Sequence, residues 1–155
     1  MSNEFGSPLP DRLAEVRELL LTQDNRCTAD PMYCVQVCER VGPLDLGYCG
    51  DNIMFYSAAA RVSYYHDGPD EDVWLRLLGM HRAGELPEAY EVGGYEEVWK
   101  TVQVCFTEEG CNRHLELNGH NYGYYHGVRI YVGSFYRNPE MLEIRAALLG
   151  HTDAK

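Results

Sequence analysis

The last third of the chain, from Thr107 to Gly150, constrains the fold most, because its helix start and stop signals agree with one another. Thr107 precedes two glutamates, which is the pattern of a hydroxyl N-cap with acids in the first helical turn, and Gly119 follows as a stop. The run Gly-Val-Arg-Ile-Tyr-Val-Gly at 127–133 predicts a strand. An Asn-Pro-Glu run beginning at Asn138 opens a second helix, which Gly150 ends. We therefore predict a helix–strand–helix unit in this segment.

Hydrophobic spacing and turn residues predict the elements that precede this unit. We expect helices over Pro10–Thr22 and from an N-cap at Asp70 to a stop at Gly84, and strands over Tyr33–Val41, Ile53–Ala60, Arg61–Tyr65 and Tyr95–Phe106. The second and third of these strands could also be one bent strand. The Gly-Pro pair after Val41, the His-Asp-Gly-Pro run at 66–69 and the acidic segment 85–94 are expected to be turns or loops.

With residues 53–65 counted as one strand, the order α-β-β-α-β-α-β-α predicts an α+β fold in which helices pack on a mostly antiparallel sheet. The 155 residues suffice for a single domain over 1–155 with a hydrophobic core, and we expect residues 1–9 to be flexible. The N-terminus has no basic and apolar leader, and no apolar run approaches the length of about 20 residues that crosses a bilayer. These features predict a soluble cytoplasmic protein, and they leave its oligomeric state open.

Cysteine and histidine provide the candidate metal ligands. A chain of this length needs no disulfides, so its six cysteines are expected to be reduced thiols that pack as small apolar residues. Cys105, Cys111, His114 and His120 lie close in the sequence, but they lack the compact cysteine pairs of a zinc knuckle. Cys111 and Leu115 fit the buried stripe of a helix equally well. We predict core packing at these positions, and neither a metal nor another cofactor.

No motif in the sequence predicts catalysis. There is no P-loop, no Gly-x-Gly-x-x-Gly after a strand, no Gly-x-Ser-x-Gly and no His-Glu-x-x-His. Cys111 near a helix N-terminus could gain thiolate character, but the sequence supplies no placed base beside it. Adjacent carboxylates at 70–72 and 108–109 are explained by helix starts. We therefore expect a protein that is not an enzyme, with a Cys111 nucleophile or a histidine–carboxylate pair as the last-ranked alternative.

The net charge of −11 is concentrated in the middle of the chain, where residues 67–97 carry nine acids and two bases. Only two of the 13 basic residues are lysines, so direct binding to a nucleic-acid backbone is not expected. An acidic surface favours solubility, or docking on a basic surface of another protein. The candidate residues for docking are Asp70, Glu71, Asp72, Glu96 and Glu97.

A second candidate surface follows the helix of the C-terminal unit. Amides, histidines, tyrosines and arginines cluster there, and tyrosine and arginine are favoured at binding hot spots. The alternative is a tyrosine-rich loop that packs on its own domain. The candidate recognition residues are His120, Asn121, Tyr122, Tyr124, Tyr125, Arg129 and Arg137.

The sequence also resembles a group of small proteins of tailed phages and prophages that have no assigned activity. The resemblance rests on Asn-Gly-His-Asn at 118–121, Arg-Ile-Tyr-Val at 129–132 and Tyr-Arg-Asn-Pro-Glu at 136–140. It implies an origin as a phage accessory protein that works in the cytoplasm of a bacterial host, and it carries over no catalytic residue. Two hypotheses follow. One is an inhibitor of a host defence system, of the anti-CRISPR or anti-restriction type, which occupies a basic surface of its target. The other is a protein that sequesters a nucleotide through the tyrosines and arginines.

Overall fold

A computed structural model describes residues 10–23 and 28–150 of the chain. The expectations for residues 1–9 and for Cys27 fall outside the described residues. The helices are α1 (Asp11–Thr22), α2 (Leu46–Cys49), α3 (Glu71–Ala83), α4 (Glu108–Asn118) and α5 (Pro139–Leu149), and a 3-10 turn spans Gly119–Tyr122. The strands are β1 (Pro31–Leu44), β2 (Ile53–Ser57), β3 (Val62–Tyr65), β4 (Tyr90–Cys105) and β5 (Gly127–Ser134).

The strands form one five-stranded sheet in the order β3-β2-β4-β1-β5. Strand β2 pairs antiparallel with β3, placing Phe55 opposite Tyr64, and antiparallel with β4, placing Phe55 opposite Val92. The predicted α+β fold with an antiparallel sheet is therefore confirmed. No helix in the described part of the chain combines the length and the hydrophobicity that a bilayer-spanning segment needs.

The chain divides into two compact units. Unit A contains the described residues up to Val37 and from Lys100 onward, and unit B contains residues 38–99. Each unit has its own hydrophobic cluster, and burial of these apolar side chains stabilises it. The cluster of unit A is built on Tyr33, Val35 and Cys111, and that of unit B on Phe55, Leu77 and Leu78.

The segment 85–94 is only partly a loop, because β4 begins at Tyr90. Gly93 and Gly94 suggest a turn in the sequence, but both lie in β4 beside other backbone segments. A Cβ atom at Gly93 would collide with Pro43, and one at Gly94 with Cys49. The same packing accounts for β1, which runs through Pro43 to Leu44 although the Gly-Pro pair predicted its end at Val41. In both places tertiary contact, not local preference, determines the strand.

The open alternative over residues 53–65 is resolved as two strands. A turn over residues 58–61 separates β2 from β3, which pair with each other. Arg61 ends this turn with a φ of 54°, the left-handed conformation that non-glycine residues adopt infrequently. The three alanines at 58–60 therefore belong mainly to a turn.

Most of the predicted helix ends are confirmed by their hydrogen bonds. The Thr107 hydroxyl accepts from the Gly110 amide at 3.0 Å, and the Asn138 side chain accepts from the Met141 amide at 3.2 Å. Gly150 ends α5 with a φ of 83° and thus uses the conformational freedom of glycine.

Two predicted ends work differently. The Asp70 side chain makes no capping hydrogen bond, and its carbonyl instead accepts from the Val73 and Trp74 amides. Gly119 does not stop the chain in a left-handed turn, since its φ is −56° and the backbone continues into the 3-10 turn. The start of α3 is thus stabilised by the Asp70 carbonyl rather than by its side chain, and α4 ends where the backbone enters the 3-10 turn.

Candidate binding surfaces

Unit B carries most of the negative charge of the protein. Its residues include 12 acids and four bases, a net charge of −8 out of −11 for the chain. Of the predicted docking residues, Asp70, Glu71 and Asp72 lie exposed at the start of α3, and Glu96 and Glu97 lie exposed on β4. The carboxylates of these two groups come from segments about 25 residues apart in the sequence.

The Arg40 side chain binds Glu97 of the second group and Asp67, which lies three residues before the first group. The guanidinium of Arg40, on β1, donates to both carboxylate oxygens of Asp67, just before α3. It also donates to Glu97 from Nε at 3.1 Å and from Nη2 at 2.9 Å. The planar group lies between the rings of Tyr65 and Tyr95, with 4.8 Å from Cζ to each centroid. Only 5% of the Arg40 side chain is exposed, so its charge is satisfied almost entirely by protein groups.

This Arg40 cluster alters the electrostatics of its members. The hydrogen bonds from Arg40 lower the pKa of Asp67 from 3.8 to about 2, and the Asp67 carboxylate in turn raises the pKa of Arg40. Burial raises the pKa of Tyr95, whose hydroxyl contacts Nδ1 of His66 at 3.2 Å. Glu97 already has a cationic partner, so it differs from the other predicted docking residues, which contribute their charge to the surface.

Sequence reasoning missed Arg40 and treated Asp67 as part of a turn. The two partners of Arg40 lie 27 and 57 residues away in the chain. Only the pairing of β1 with β4 and the position of β3 make them neighbours. No local spacing in the sequence carries that signal.

The tyrosines of unit A form a chain of rings that leads from the core to the surface. His114 on α4 lies 6.0 Å from Tyr122, measured between ring centroids, and Tyr122 lies 6.3 Å from Tyr125. Tyr125 in turn lies 4.2 Å from Tyr124, and the Tyr124 hydroxyl donates to that of Tyr125 at 3.0 Å. Tyr124 is 76% exposed. Its contacts with Tyr125 hold the Tyr124 ring in place.

The inner end of this ring chain belongs to the core. Nε2 of His114 contacts the Tyr122 hydroxyl at 2.7 Å, and the Asn118 amide nitrogen lies 3.3 Å from Nδ1. Tyr122 packs against the cluster of Tyr33 and Cys111. Of the predicted recognition residues, Tyr122 therefore acts as a support, whereas His120, Asn121 and Tyr124 are exposed.

The two predicted arginines lie at different ends of β5. Arg129, near its start, donates to the Gln36 side chain at 2.9 Å and lies over the Tyr131 ring at 5.2 Å. Arg137 follows the far end of this eight-residue strand. At about 3.3 Å per residue, the strand separates its two ends by about 23 Å. Arg129 and Arg137 therefore lie towards different ends of β5.

The thiols of unit A are structural in their geometry. Burial raises the pKa of Cys111 to about 12, and a hydrogen bond to Cys105 adds to the shift. A thiol with this pKa is protonated at neutral pH and is a poor nucleophile. The described residues contain no group of three or more histidines, cysteines or carboxylates that could hold a metal ion, and the five cysteines among them are free thiols. Cys105, Cys111 and His114 instead contact the core, and His120 is exposed.

Comparisons with protein-family models, with curated proteins and with solved structures found no match to this chain. The resemblance of residues 118–140 to phage proteins therefore stays a prediction.

Proposed function

We propose that this protein acts by binding another protein, as a phage-derived inhibitor of a host defence system of the anti-CRISPR or anti-restriction type. It occupies a basic surface on its target through the acidic surface of unit B. The observation that supports this proposal is the net charge of −8 on residues 38–99, with exposed carboxylates held beside a buried arginine.

The Arg40 cluster favours binding because it orders the acidic segment in advance. Arg40 fixes Asp67, and the indole of Trp74 donates to the Ile53 carbonyl at 3.0 Å, which holds the first turn of α3 on β2. Asp70, Glu71 and Asp72 lie between these two anchors. Fewer backbone degrees of freedom are then lost on binding, and loop ordering is one of the main costs of association.

The sign of the charge indicates the kind of partner. Defence nucleases recognise nucleic acids, and proteins bind phosphate backbones through lysine and arginine. A surface of opposite charge attracts such a partner over about a Debye length and speeds association. The same charge repels nucleic acid itself. An acidic protein therefore acts by competing with phosphate for the basic surface.

The experiment measures binding to purified host defence complexes at two ionic strengths. The test variant combines Asp70→Asn, Glu71→Gln and Glu96→Gln in unit B. The control variant combines Glu116→Gln, Glu140→Gln and Glu143→Gln, which remove the same charge from exposed positions of unit A. Glu140 lies in the first turn of α5, so the control also includes one substitution at a helix start.

We expect the test variant to bind about tenfold more weakly, mainly through a slower association rate, and to show a smaller salt dependence. The control variant should bind nearly as tightly as the wild type. Equal losses in both variants would show that only net charge matters and would refute a docking role for this surface. Absence of binding to every defence complex tested would refute the inhibitor function.

A second candidate function is nucleotide binding by the tyrosine surface of unit A. It is favoured by the exposed Tyr124 ring, since stacking on an aromatic side chain holds a base, and by Arg129 at the near end of β5. A thermal-shift panel of nucleotides tests it. A shift that Tyr124→Ala abolishes would support this function, and no shift with any nucleotide would leave the protein-binding proposal alone.

A further inference from the structure

Strand β5 is an edge strand that lacks most of the features by which proteins prevent an edge from pairing. It is the last strand in the sheet order of the described residues, so one side of its backbone has no neighbouring strand there. It is eight residues long, whereas β3 at the opposite edge has four. Its sequence contains no proline, no lysine and no acid, and its one charge is that of Arg129. Short strands, prolines and lysines usually protect an edge, so little in β5 opposes pairing with another strand.

The segment around β5 has the composition of an interface. Residues 117–139 contain no acid, although the chain has 24. Tyr124, shortly before the strand, is 76% exposed, and Tyr136, shortly after it, is 77% exposed. Interfaces are depleted in acids and enriched in tyrosine, and large exposed rings gain from being covered. We infer that β5 pairs antiparallel with β5 of a second copy of this chain, so that two sheets become continuous around a twofold axis.

The two faces of β5 limit the registers in which it can pair with itself. Ile130 and Val132 pack on the hydrophobic cluster of unit A. Arg129 and Tyr131 lie on the other face, where the guanidinium lies over the ring. Opposite residues of antiparallel strands share a face, so odd-numbered residues lie opposite odd-numbered ones, and one residue lies on the twofold axis. With Arg129 on the axis, two guanidinium groups would oppose each other, which is unfavourable.

A twofold axis at Ile130 makes this edge complementary to itself. Arg129 of each copy then lies opposite Tyr131 of the other, and the same two side chains already contact each other within one chain at 5.2 Å. Tyr124 and Tyr136 lie six residues before and six residues after Ile130. Each end of the paired strands therefore holds Tyr124 of one copy and Tyr136 of the other. A foreign strand would not share this symmetry, so these positions favour a second copy as the occupant.

The experiment measures the oligomeric state of the full chain together with the protection of its edge strands. Sedimentation velocity follows the wild type over a protein concentration of about 1 to 500 µM, since the dimer fraction depends on concentration. Hydrogen exchange with mass spectrometry is measured at both ends of that range. We expect a monomer–dimer equilibrium in which the amides of 127–134 exchange more slowly at high concentration. The amides of β3, at the other edge, should exchange at an unchanged rate.

Two substitutions at Tyr131 test the register with opposite charges. Tyr131→Arg places an arginine opposite Arg129 at both symmetric pairs, and Tyr131→Glu places a carboxylate there. The Tyr131→Arg dimer should therefore be at least about fivefold weaker than the Tyr131→Glu dimer. Net charge alone predicts the reverse order, because Tyr131→Glu makes the acidic chain more negative. The control is Val62→Arg at an exposed position of β3, and it should leave the dimer unchanged.

A chain that stays monomeric throughout would overturn the inference, as would a dimer whose amides in β5 gain no protection. A Tyr131→Arg dimer as strong as the Tyr131→Glu dimer would overturn it too. If the wild type is monomeric and β5 gains protection only when a peptide of alternating valine and glutamate is added, the edge receives a foreign strand instead. Hydrogen exchange uses the wild type, so it decides the question even if a Tyr131 variant fails to fold. The result is independent of the proposed function, since no defence complex takes part.

Discussion

Replacing Asp67 by asparagine tests whether the Arg40 cluster stabilises unit B. The substitution keeps the shape of the side chain and removes its charge. In the folded protein the pKa of Asp67 is about 2, against an ordinary value of 3.8. At about 1.4 kcal/mol per unit, that difference corresponds to about 2.4 kcal/mol. The Asp67 side chain is 47% exposed, and solvent screening reduces the expected contribution to about 1 kcal/mol.

The pH dependence follows from the direction of the shift. Because folding lowers the pKa of Asp67, the charged carboxylate stabilises the folded state, and its contribution is complete at pH values above 3.8. It is lost as the pH falls through the folded pKa of about 2. The free-energy difference between the wild type and Asp67→Asn should therefore be about 1 kcal/mol at pH 7 and about half of that at pH 3.

Urea unfolding at pH 7 and at pH 3, followed by tryptophan fluorescence, measures this difference. Asp70→Asn is the matched control, since Asp70 is an exposed acid three residues away whose side chain makes no capping hydrogen bond. It should cost much less at either pH. A loss in Asp67→Asn that is the same at both pH values would refute the electrostatic reasoning and leave only a packing role. No loss at pH 7 would refute a stabilising role for the cluster.

Three further predictions concern single positions. Gly84 adopts a φ of 75°, so Gly84→Ala should destabilise the protein by about 1 kcal/mol. Gly119 has a φ of −56° and open space around it, so Gly119→Ala should leave the melting temperature unchanged or raise it. Asn138→Ala should cost about 1 kcal/mol in urea unfolding because its cap bond is lost, and Asp70→Ala only about 0.3 kcal/mol from the helix dipole. Cys111, with a buried thiol and a pKa of about 12, should resist iodoacetamide at pH 8 and react once urea unfolds the chain, as mass spectrometry of its peptide would show; rapid labelling in the native protein would contradict its place in the core.

The helix ends were predictable because their causes are local. Thr107, Asn138 and Gly150 act on amides and carbonyls within four residues, and the sequence displays all of those partners side by side. The start of β4 and the end of β1 were not predictable, because Gly93, Gly94 and the Gly-Pro pair after Val41 are typical turn residues. Both glycines lie inside β4, where Pro43 and Cys49 approach the backbone so closely that no side chain would fit. That approach exists only after β1 and α2 are folded.

The candidate surfaces also combine features that the sequence reveals with features that depend on contacts between distant segments. Clusters of carboxylates and tyrosines are visible in the composition of a segment, so the acidic segment and the tyrosines could be selected from the sequence. Their supports could not be selected, because each support is a buried contact between distant segments. Arg40 binds Glu97 across 57 residues, and no spacing rule connects the two. Tyr122 was assigned to the same surface as Tyr124, although one supports the core and the other faces solvent.

The Asn-Gly-His-Asn run at 118–121 carries α4 into the 3-10 turn, and the end of the helix explains only part of it. Gly119 was the residue that capping explained best, yet its backbone is right-handed and a side chain there would meet open space. Asn118 has a structural role, since its amide contacts both the ring and the carbonyl of His114. His120 and Asn121 are exposed at the base of the ring chain that ends in Tyr124. Asn118 thus has a structural role in this run, and His120 and Asn121 stay predicted recognition residues on the exposed surface.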